Sequence, residues 1–419
     1  MINENNKRLI NIMLIICVIP FLVPRGIMET GGNLLNSILY YFRLFVIFFL
    51  LICCILYKIR FCMITWLSIL FYFLNIVICI IRHTDTSADI SNFIYVFGMV
   101  LIMEFALYND ISCFIKNMAI IIGIIIVANF ITIVMHPGGL YTDSRGWKAN
   151  WVMGYYNSHI FTYLPWLAFS YMYIYKLRGK LSVMGIGLLV FTICGVYMAG
   201  SKTSLVALGI AFIIMVFSLK AFKLNLPNVF VFFIISFVIS YLIIFMNFQE
   251  NFSAILYKYL NRDSSFTGRT IIWALALKSI SRHPILGNGN VSYNLTTWTT
   301  TQAHNTYLNI MVQQGLLGLM LFGIIVFIVS HKLKQYKEHP YTKVLTIILV
   351  AYFVDFITEM YQMPHLLFCV IFLAYNIDKI VDLMPVKFDK DSKTIKKKIK
   401  IHLKYTKASE RSVFYVRRR

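Results

Sequence analysis

A few polar and charged residues interrupt an otherwise apolar chain, and their types suit proton transfer beside a bound anion. The candidates are Arg145, Asn157, Lys202, Arg269, His304, Asn305 and Glu359. A histidine changes its protonation near neutral pH and can act as a general base. Arginine and lysine side chains bind phosphate and other anions, and the amides and the carboxylate can hold ligands by hydrogen bonds.

Each of the three candidate cations also has an explanation without a functional role. Lys202 lies in Gly200-Ser201-Lys202-Thr203-Ser204, a short polar segment between two apolar blocks. Exposed N–H groups plus a cation at the start of a helix suit a phosphate, whereas a lysine that only extends its ammonium group to water is the alternative. Arg269 begins a predicted helix over 270–283 or is a solvated loop cation. Arg145 binds a ligand or pairs with Asp143.

His304 and Asn305 stand where a long loop enters an apolar block. At that position the histidine acts as a general base, or it is held by backbone hydrogen bonds at the membrane interface. Glu359 closes the next block, and Asp355 precedes it by four residues on the same predicted helical face. Ionisable groups at the edge of a membrane span are costly and are usually functional.

Other chemistries leave no signature in the sequence. The chain contains no H-E-x-x-H, G-x-S-x-G or Walker motif. The eight cysteines form no C-x-x-C pair, so we interpret them as small apolar residues rather than as a disulfide or zinc framework. A metal site is therefore not indicated.

The elements that carry the candidate residues are predicted to be membrane spans. The chain has 419 residues, of which 59% are hydrophobic and 13% charged, with a mean hydropathy of +0.74. Soluble domains contain about 25% charged residues, so an ordinary water-soluble protein is excluded. Apolar blocks of about 18–25 residues predict an all-α polytopic membrane protein with about 12 transmembrane helices. The predicted spans are 9–24, 37–57, 61–81, 90–108, 114–135, 159–175, 181–199, 203–219, 227–247, 304–330, 342–358 and 363–380.

The distribution of charge predicts how these spans are oriented. Most of the 39 Lys and Arg fall on the side of the N-terminus, so the positive-inside rule places both termini in the cytoplasm. Residues 1–380 are predicted to form one transmembrane domain, with outer loops at 136–158 and 248–303, the larger one before span ten. Residues 381–419 form a basic cytoplasmic tail, which suits anionic lipid better than nucleic acid because no nucleic-acid motif accompanies it.

Several of these segments together resemble the O-antigen polymerase and O-antigen ligase superfamily of bacterial surface-polysaccharide assembly. The similar elements are Gly200-Ser201-Lys202, Gly268-Arg269 through Trp273, Pro284-Ile285-Leu286-Gly287-Asn288-Gly289, and His304-Asn305 followed by Gly315 and Gly318. These elements lie within residues 199–319. Arg145 and Asn157 show a weaker similarity to an arginine–asparagine element of the family, upstream of them. The ligase pattern ends in Thr or Tyr where this chain has Leu319, a departure that weakens a strict ligase assignment and leaves the polymerase assignment intact.

The resemblance implies an enzyme that transfers a glycan from an undecaprenyl pyrophosphate carrier to an acceptor hydroxyl, outside the plasma membrane. His304 would take the acceptor proton, and Arg145, Lys202 and Arg269 would stabilise the leaving diphosphate. Asn157, Asn305 and Glu359 would help to bind the substrate. No cofactor, neither ATP nor metal, is required, because the donor is already activated. A chain-length regulator and a flippase are candidate partners. The leading hypothesis is a polymerase for O-antigen, capsule or exopolysaccharide. The alternatives are a ligase and a transporter of lipid-linked sugars.

Overall fold

The computed structural model describes residues 4–143, 146–180, 183–218, 226, 228–246, 269–294, 299–361 and 363–386, and helices make up most of them. The helices are α1 Glu4–Leu22, α2 Arg25–Thr30, α3 Gly32–Leu56, α4 Met63–Arg82, α5 Ser87–Asn109, α6 Ile111–Met135, α7 Ile160–Arg178, α8 Val183–Ala199, α9 Lys202–Ser218, α10 Val229–Met246, α11 Arg269–Arg282, α12 Thr306–Gln335, α13 Pro340–Asp355, α14 Pro364–Tyr375 and α15 Ile377–Leu383. The all-α class predicted from the sequence is confirmed.

Two short hairpins lie in the predicted outer loops. In the first, β1 (Asn150–Trp151) pairs antiparallel with β2 (Gly154–Tyr155). The Trp151 indole donates to the carbonyl of His136, at a distance of 2.8 Å, so the hairpin is fastened to the end of α6. In the second, β3 (Tyr293–Asn294) pairs with β4 (Thr299–Thr300) between α11 and α12.

The bundle has central helices that are buried on all sides and outer helices that expose apolar stripes. Almost every side chain of α13 and α14 is buried, and α13 packs against α7, α9 and α10. On α3, α4 and α6, by contrast, large residues such as Phe48, Ile80 and Ile124 are more than 60% exposed. Such stripes would promote aggregation in water, but they suit contact with lipid chains. The protein is therefore a multi-pass membrane protein.

The number of membrane spans is confirmed only in part. Each of the twelve predicted blocks contains a helix, but six helices of the described chain, α3, α4, α5, α6, α10 and α12, are both long and apolar enough to cross a bilayer. The shorter apolar helices are α8 and α14, together with parts of α1 and α9. The count of twelve and the orientation of the termini stay predictions.

The predicted span 304–330 corresponds to α12, but this helix is interrupted at Gly315, where the backbone has φ 62° and ψ −160°. The turn that follows α11 inserts at the break and exchanges hydrogen bonds with α12. The four bonds are Asn288 N to Val312 O, Gly289 N to Gln313 O, Leu316 N to Pro284 O and Leu317 N to Ile285 O, all between 2.8 and 3.1 Å. Backbone groups freed by a break within a membrane protein need such partners.

Candidate active site

Glu359 is positioned by the segment that follows α13 and by the start of α12. The helix ends at Asp355, three residues earlier than the predicted span, and Glu359 lies just beyond it, with its N–H bonded to the Asp355 carbonyl at 2.9 Å. Thr306 binds this segment twice, through its N–H to Phe356 O at 3.0 Å and its hydroxyl to Glu359 O at 2.8 Å. Glu359 is therefore held by backbone contacts on both sides.

The carboxylate of Glu359 is the centre of a polar cluster drawn from four separate parts of the chain. Its Oε1 accepts from Arg269 Nη2 at 2.6 Å and from Asn157 Nδ2 at 2.9 Å. Its Oε2 lies 3.8 Å from His304 Nδ1, an ion-pair distance that is longer than a hydrogen bond. Glu359 is only 3% exposed. These four residues, here called the Glu359 cluster, were all predicted from the sequence as site residues, and the structure brings them together.

The charges in this cluster keep Glu359 ionised although it is buried. Burial by itself raises the pKa of Glu359, but the charge of Arg269 and the nearby His304 more than offset that effect. The resulting pKa of Glu359 lies below its ordinary value of 4.5. A buried carboxylate is stable in its charged form only beside such partners. Arg269 also donates to the Thr358 carbonyl, so its guanidinium is fixed by two contacts.

His304 has a backbone conformation that non-glycine residues rarely adopt. Its φ is 47°, in the left-handed region, which costs free energy and tends to persist where function requires it. The flanking residues impose it. The Trp273 indole of α11 donates to Ala303 O at 3.0 Å, and Asn305 caps α12 by accepting from Leu308 N at 2.8 Å. The imidazole stays 23% exposed, so substrate can reach it.

Asn305 is a structural part of the site. It is completely buried, and its amide nitrogen donates to Ile357 O at 2.6 Å and to Ser240 Oγ at 3.1 Å. Because its carbonyl oxygen caps α12, the amide already makes three contacts. Asparagine is among the preferred residues at this helix position. A direct contact of Asn305 with substrate stays a prediction.

Lys202 is linked to the Glu359 cluster through its neighbour. It is the first residue of α9, and Ser201 donates to Asn157 Oδ1 at 2.9 Å. The role of the Lys202 ammonium group toward an anion stays a prediction. Arg145, the remaining predicted cation, lies outside the described residues.

Two features near Glu359 went beyond what the sequence predicted. The Thr358 carbonyl, which accepts from Arg269, has no signature in a sequence because every residue carries the same group. Both carboxylate oxygens of Asp355 are buried without a hydrogen-bond partner. The described residues hold no group of three or more His, Cys, Asp or Glu side chains that could bind a metal ion.

Comparison with known families agrees with the resemblance found in the sequence. Residues 187–323 match the family model described as O-antigen ligase. This match, which covers less than half of the chain, confirms the resemblance to the O-antigen polymerase and ligase superfamily and supports glycan transfer of that general type. It includes Lys202, Arg269 and His304 but not Asn157 or Glu359. No curated protein matches the chain.

Proposed function

We propose that the protein is a glycan polymerase that joins oligosaccharide units carried on undecaprenyl diphosphate, at the outer face of a bacterial plasma membrane. The observation that carries this proposal is the Glu359 cluster. It combines a partly exposed histidine, a buried carboxylate beside it and a cation, at one end of a membrane bundle. The match to the O-antigen ligase family model covers the histidine and the cation. The products would be O-antigen, capsule or exopolysaccharide.

The proposed reaction is a displacement at the anomeric carbon of the donor glycan. The acceptor hydroxyl oxygen forms a bond to that carbon, and the bond from the carbon to the diphosphate oxygen breaks with its electron pair on the diphosphate. The hydroxyl proton passes to His304. With Nδ1 directed at Glu359, the other ring nitrogen, Nε2, is the one that takes the proton. Glu359 thereby orients the base and stabilises the imidazolium that forms, as a third group does in other base-assisted sites.

The cations would stabilise the leaving group of the reaction. The diphosphate gains negative charge as it leaves, and a fixed cation close to it lowers the barrier. Lys202 suits this role because it is the first residue of α9 and follows Ser201, which donates to Asn157 of the cluster. Arg269 retains N–H donors beyond its two contacts, since a guanidinium has five, and its side chain is 16% exposed. We assign Arg145 to the same role on the sequence resemblance alone.

A ligase that transfers glycan to a different acceptor is the second candidate, since the matching family model is described as O-antigen ligase. The two functions share the chemistry of the donor and differ in the acceptor. Leu319, at the position where the ligase pattern has Thr or Tyr, weakens the assignment as a strict ligase.

The test is the change of His304 to alanine in the producing cell, followed by separation of the surface polysaccharide by length. We expect long chains to disappear while single units still reach the surface. The matched control is His283→Ala, a partly buried histidine at the end of α11 that has no ion pair with Glu359 in the described structure. Normal chain lengths in the His304 variant would exclude the polymerase, and absence of any unit at the surface would favour a transporter.

A further inference from the structure

The turn that follows α11 continues to Asn290, and this residue is bound to the ends of α4 and α5. The Asn290 amide nitrogen donates to Asp89 Oδ2 at 2.6 Å and to the Asp85 carbonyl at 2.7 Å. Its backbone N–H donates to Thr84 Oγ1 at 3.3 Å. Thr84 and Asp85 connect the two helices, and Asp89 lies in the first turn of α5. The turn is therefore tied to a segment 201 residues earlier in the chain.

Asp89 is itself fixed by a set of hydrogen bonds within the bundle. It is only 4% exposed. Its Oδ1 accepts from Asn75 Nδ2 at 2.6 Å, and its Oδ2 accepts from Cys79 Sγ at 3.2 Å. Both donors lie on α4, so the carboxyl group joins α4 to α5 as well as to Asn290. Buried polar networks whose members all have partners are rigid, so Asn290 is held against a fixed support.

A first route leads from Asn290 to His304 along α12. The Asn290 Oδ1 accepts from Gln313 Nε2 at 3.0 Å, and Gln313 follows His304 by nine residues. Between Thr306 and the break at Gly315 the helix is uninterrupted. The break removes the continuous hydrogen bonds through which the rest of α12 would otherwise hold this first part. Its position therefore depends on contacts from outside the helix, and Asn290 supplies one of them.

A second route leads from the same turn to His304 through α11. Asn288 donates its amide nitrogen to the Ser279 carbonyl in the last turn of α11, at 2.9 Å. Trp273, on the same helix, holds the carbonyl of Ala303 at 3.0 Å, directly before His304. Both routes begin at the turn and end at the segment that carries the histidine.

We propose that Asn290 is a positioning residue for His304. It lies outside the Glu359 cluster and acts by transferring the fixed positions of α4 and α5 to the turn, to α11 and to the first part of α12. That this matters for glycan joining rests on the proposed function. The coupling between Asn290 and residues 303–309 rests on the contacts alone.

The first test is hydrogen exchange of backbone amides, measured by mass spectrometry on the purified full-length protein in detergent. Asn290→Asp keeps the size of the side chain but replaces the donor to Asp89 by a second carboxyl group. We expect the amides of 286–290 and also those of 303–309 to exchange about tenfold faster than in the wild type, since the loss of one hydrogen bond can change a local opening equilibrium by that factor.

The matched control makes the same chemical change at the opposite end of α5. The Asn109 amide nitrogen donates to Asn11 Oδ1 at 3.2 Å, so Asn109→Asp also removes one hydrogen bond of α5. This control should leave exchange at 303–309 unchanged.

The second test is the rate of glycan joining per folded molecule. In Asn290→Asp we expect kcat to fall about tenfold while KM changes less than about twofold, because a displacement of about 1 Å at the reacting groups can cost about 10²-fold in rate. A loss of folded protein alone would not alter kcat per folded molecule. Combining Asn290→Asp with Asp89→Asn restores a donor and an acceptor at the two positions and should recover most of kcat.

Gln313→Met removes the contact between Asn290 and α12 but leaves the contacts with Asp89 in place. It should also speed exchange at 303–309 and lower kcat with little change in KM. This variant decides the matter even if Asn290→Asp does not fold.

Three results would overturn the proposal. They are faster exchange that stays confined to 286–290, equally fast exchange at 303–309 in Asn109→Asp, and an unchanged kcat in a variant whose amides at 303–309 exchange faster. If the wild type itself joins no glycans, the proposed function fails. The exchange measurement then still decides whether Asn290 holds the segment of His304.

Discussion

Replacing Glu359 by glutamine removes the charge at the centre of the polar cluster while keeping the size of the side chain. Breaking a buried ion pair by removing one partner costs about 3–5 kcal/mol. Arg269 is 16% exposed and keeps its contact with the Thr358 carbonyl, so we expect the lower end, about 3 kcal/mol. Loss of the group that orients His304 should reduce glycan transfer by about 10²–10⁴-fold, the usual contribution of a positioned general base.

The assay is unfolding of the purified protein in mixed micelles by a denaturing detergent, together with the transfer rate. A double-mutant cycle with Arg269→Gln should give a coupling free energy of about 1–3 kcal/mol, since the two side chains are in direct contact. The control is Glu338→Gln, whose carboxylate is 66% exposed and 3.9 Å from Lys343; this change should alter stability by less than about 0.5 kcal/mol. Additive effects in the cycle would refute the coupling of Arg269 and Glu359.

The stability difference between wild type and Glu359→Gln should also depend on pH in a defined direction. The pKa of Glu359 in the folded protein lies below its ordinary value of 4.5, so the ionised side chain contributes stability that is fully present above about pH 4.5. The difference should stay constant from neutral pH down to that value. It should shrink as the pH falls further, toward the folded-state pKa. A difference that vanished between pH 5 and 7 would contradict this assignment.

Three further substitutions test how the site is built. Gly315→Ala should destabilise the protein by more than about 1 kcal/mol in the same unfolding assay, because φ is 62° and a Cβ would lie 2.3 Å from Ile285 O. Its control is Gly187→Ala on α8, where a Cβ would have no atom within 4 Å. This control should be neutral or should stabilise the protein by about 0.5–1 kcal/mol. Trp273→Phe removes the hydrogen bond to Ala303 O and should cost about 1 kcal/mol and lower the transfer rate by releasing the backbone of His304. Lys202→Gln should slow transfer about tenfold without loss of stability, and Lys202→Arg should restore it; unchanged kinetics would remove Lys202 from the site.

The sequence singled out the candidate residues but did not show which of them lie together. His304, Arg269, Asn157 and Glu359 could be singled out because polar residues are rare and costly beside apolar spans. That they meet could not be predicted, since Asn157 and Glu359 are 202 residues apart and helix patterns do not say which helices pack together. The resemblance to a family helped to group these residues only where they lie inside its motifs.

The broken helix shows another limit of prediction from sequence. Gly315 lies in an apolar stretch that continues on both sides, so hydropathy indicates one span. The break depends on the turn at 284–289, whose backbone bonds replace those lost in α12. Its glycines have φ values of 77° and 67°, and a Cβ at Gly287 would lie 2.5 Å from Gln313 O. The glycines that permit the break are visible in the sequence. That they form a break in α12 could be seen only from the contact between the turn and the helix.

The role of Asn305 could have been inferred locally. An asparagine immediately before a helical block is a common helix cap, and here it caps α12 and holds the segment that carries Glu359. Its prediction as a substrate ligand came from the resemblance. The contact with Ile357 O needed the structure, because the partner is a backbone carbonyl 52 residues away.

The proposed polymerase activity is tested by reconstitution of the purified protein with one defined oligosaccharide on undecaprenyl diphosphate as both donor and acceptor. A polymerase should give a ladder of products that differ by one repeat unit, with release of undecaprenyl diphosphate, and the His304→Ala protein should give no ladder. Transfer only to a different added acceptor would indicate a ligase. Movement of the lipid-linked sugar across the membrane without any new glycosidic bond would contradict the proposed enzyme.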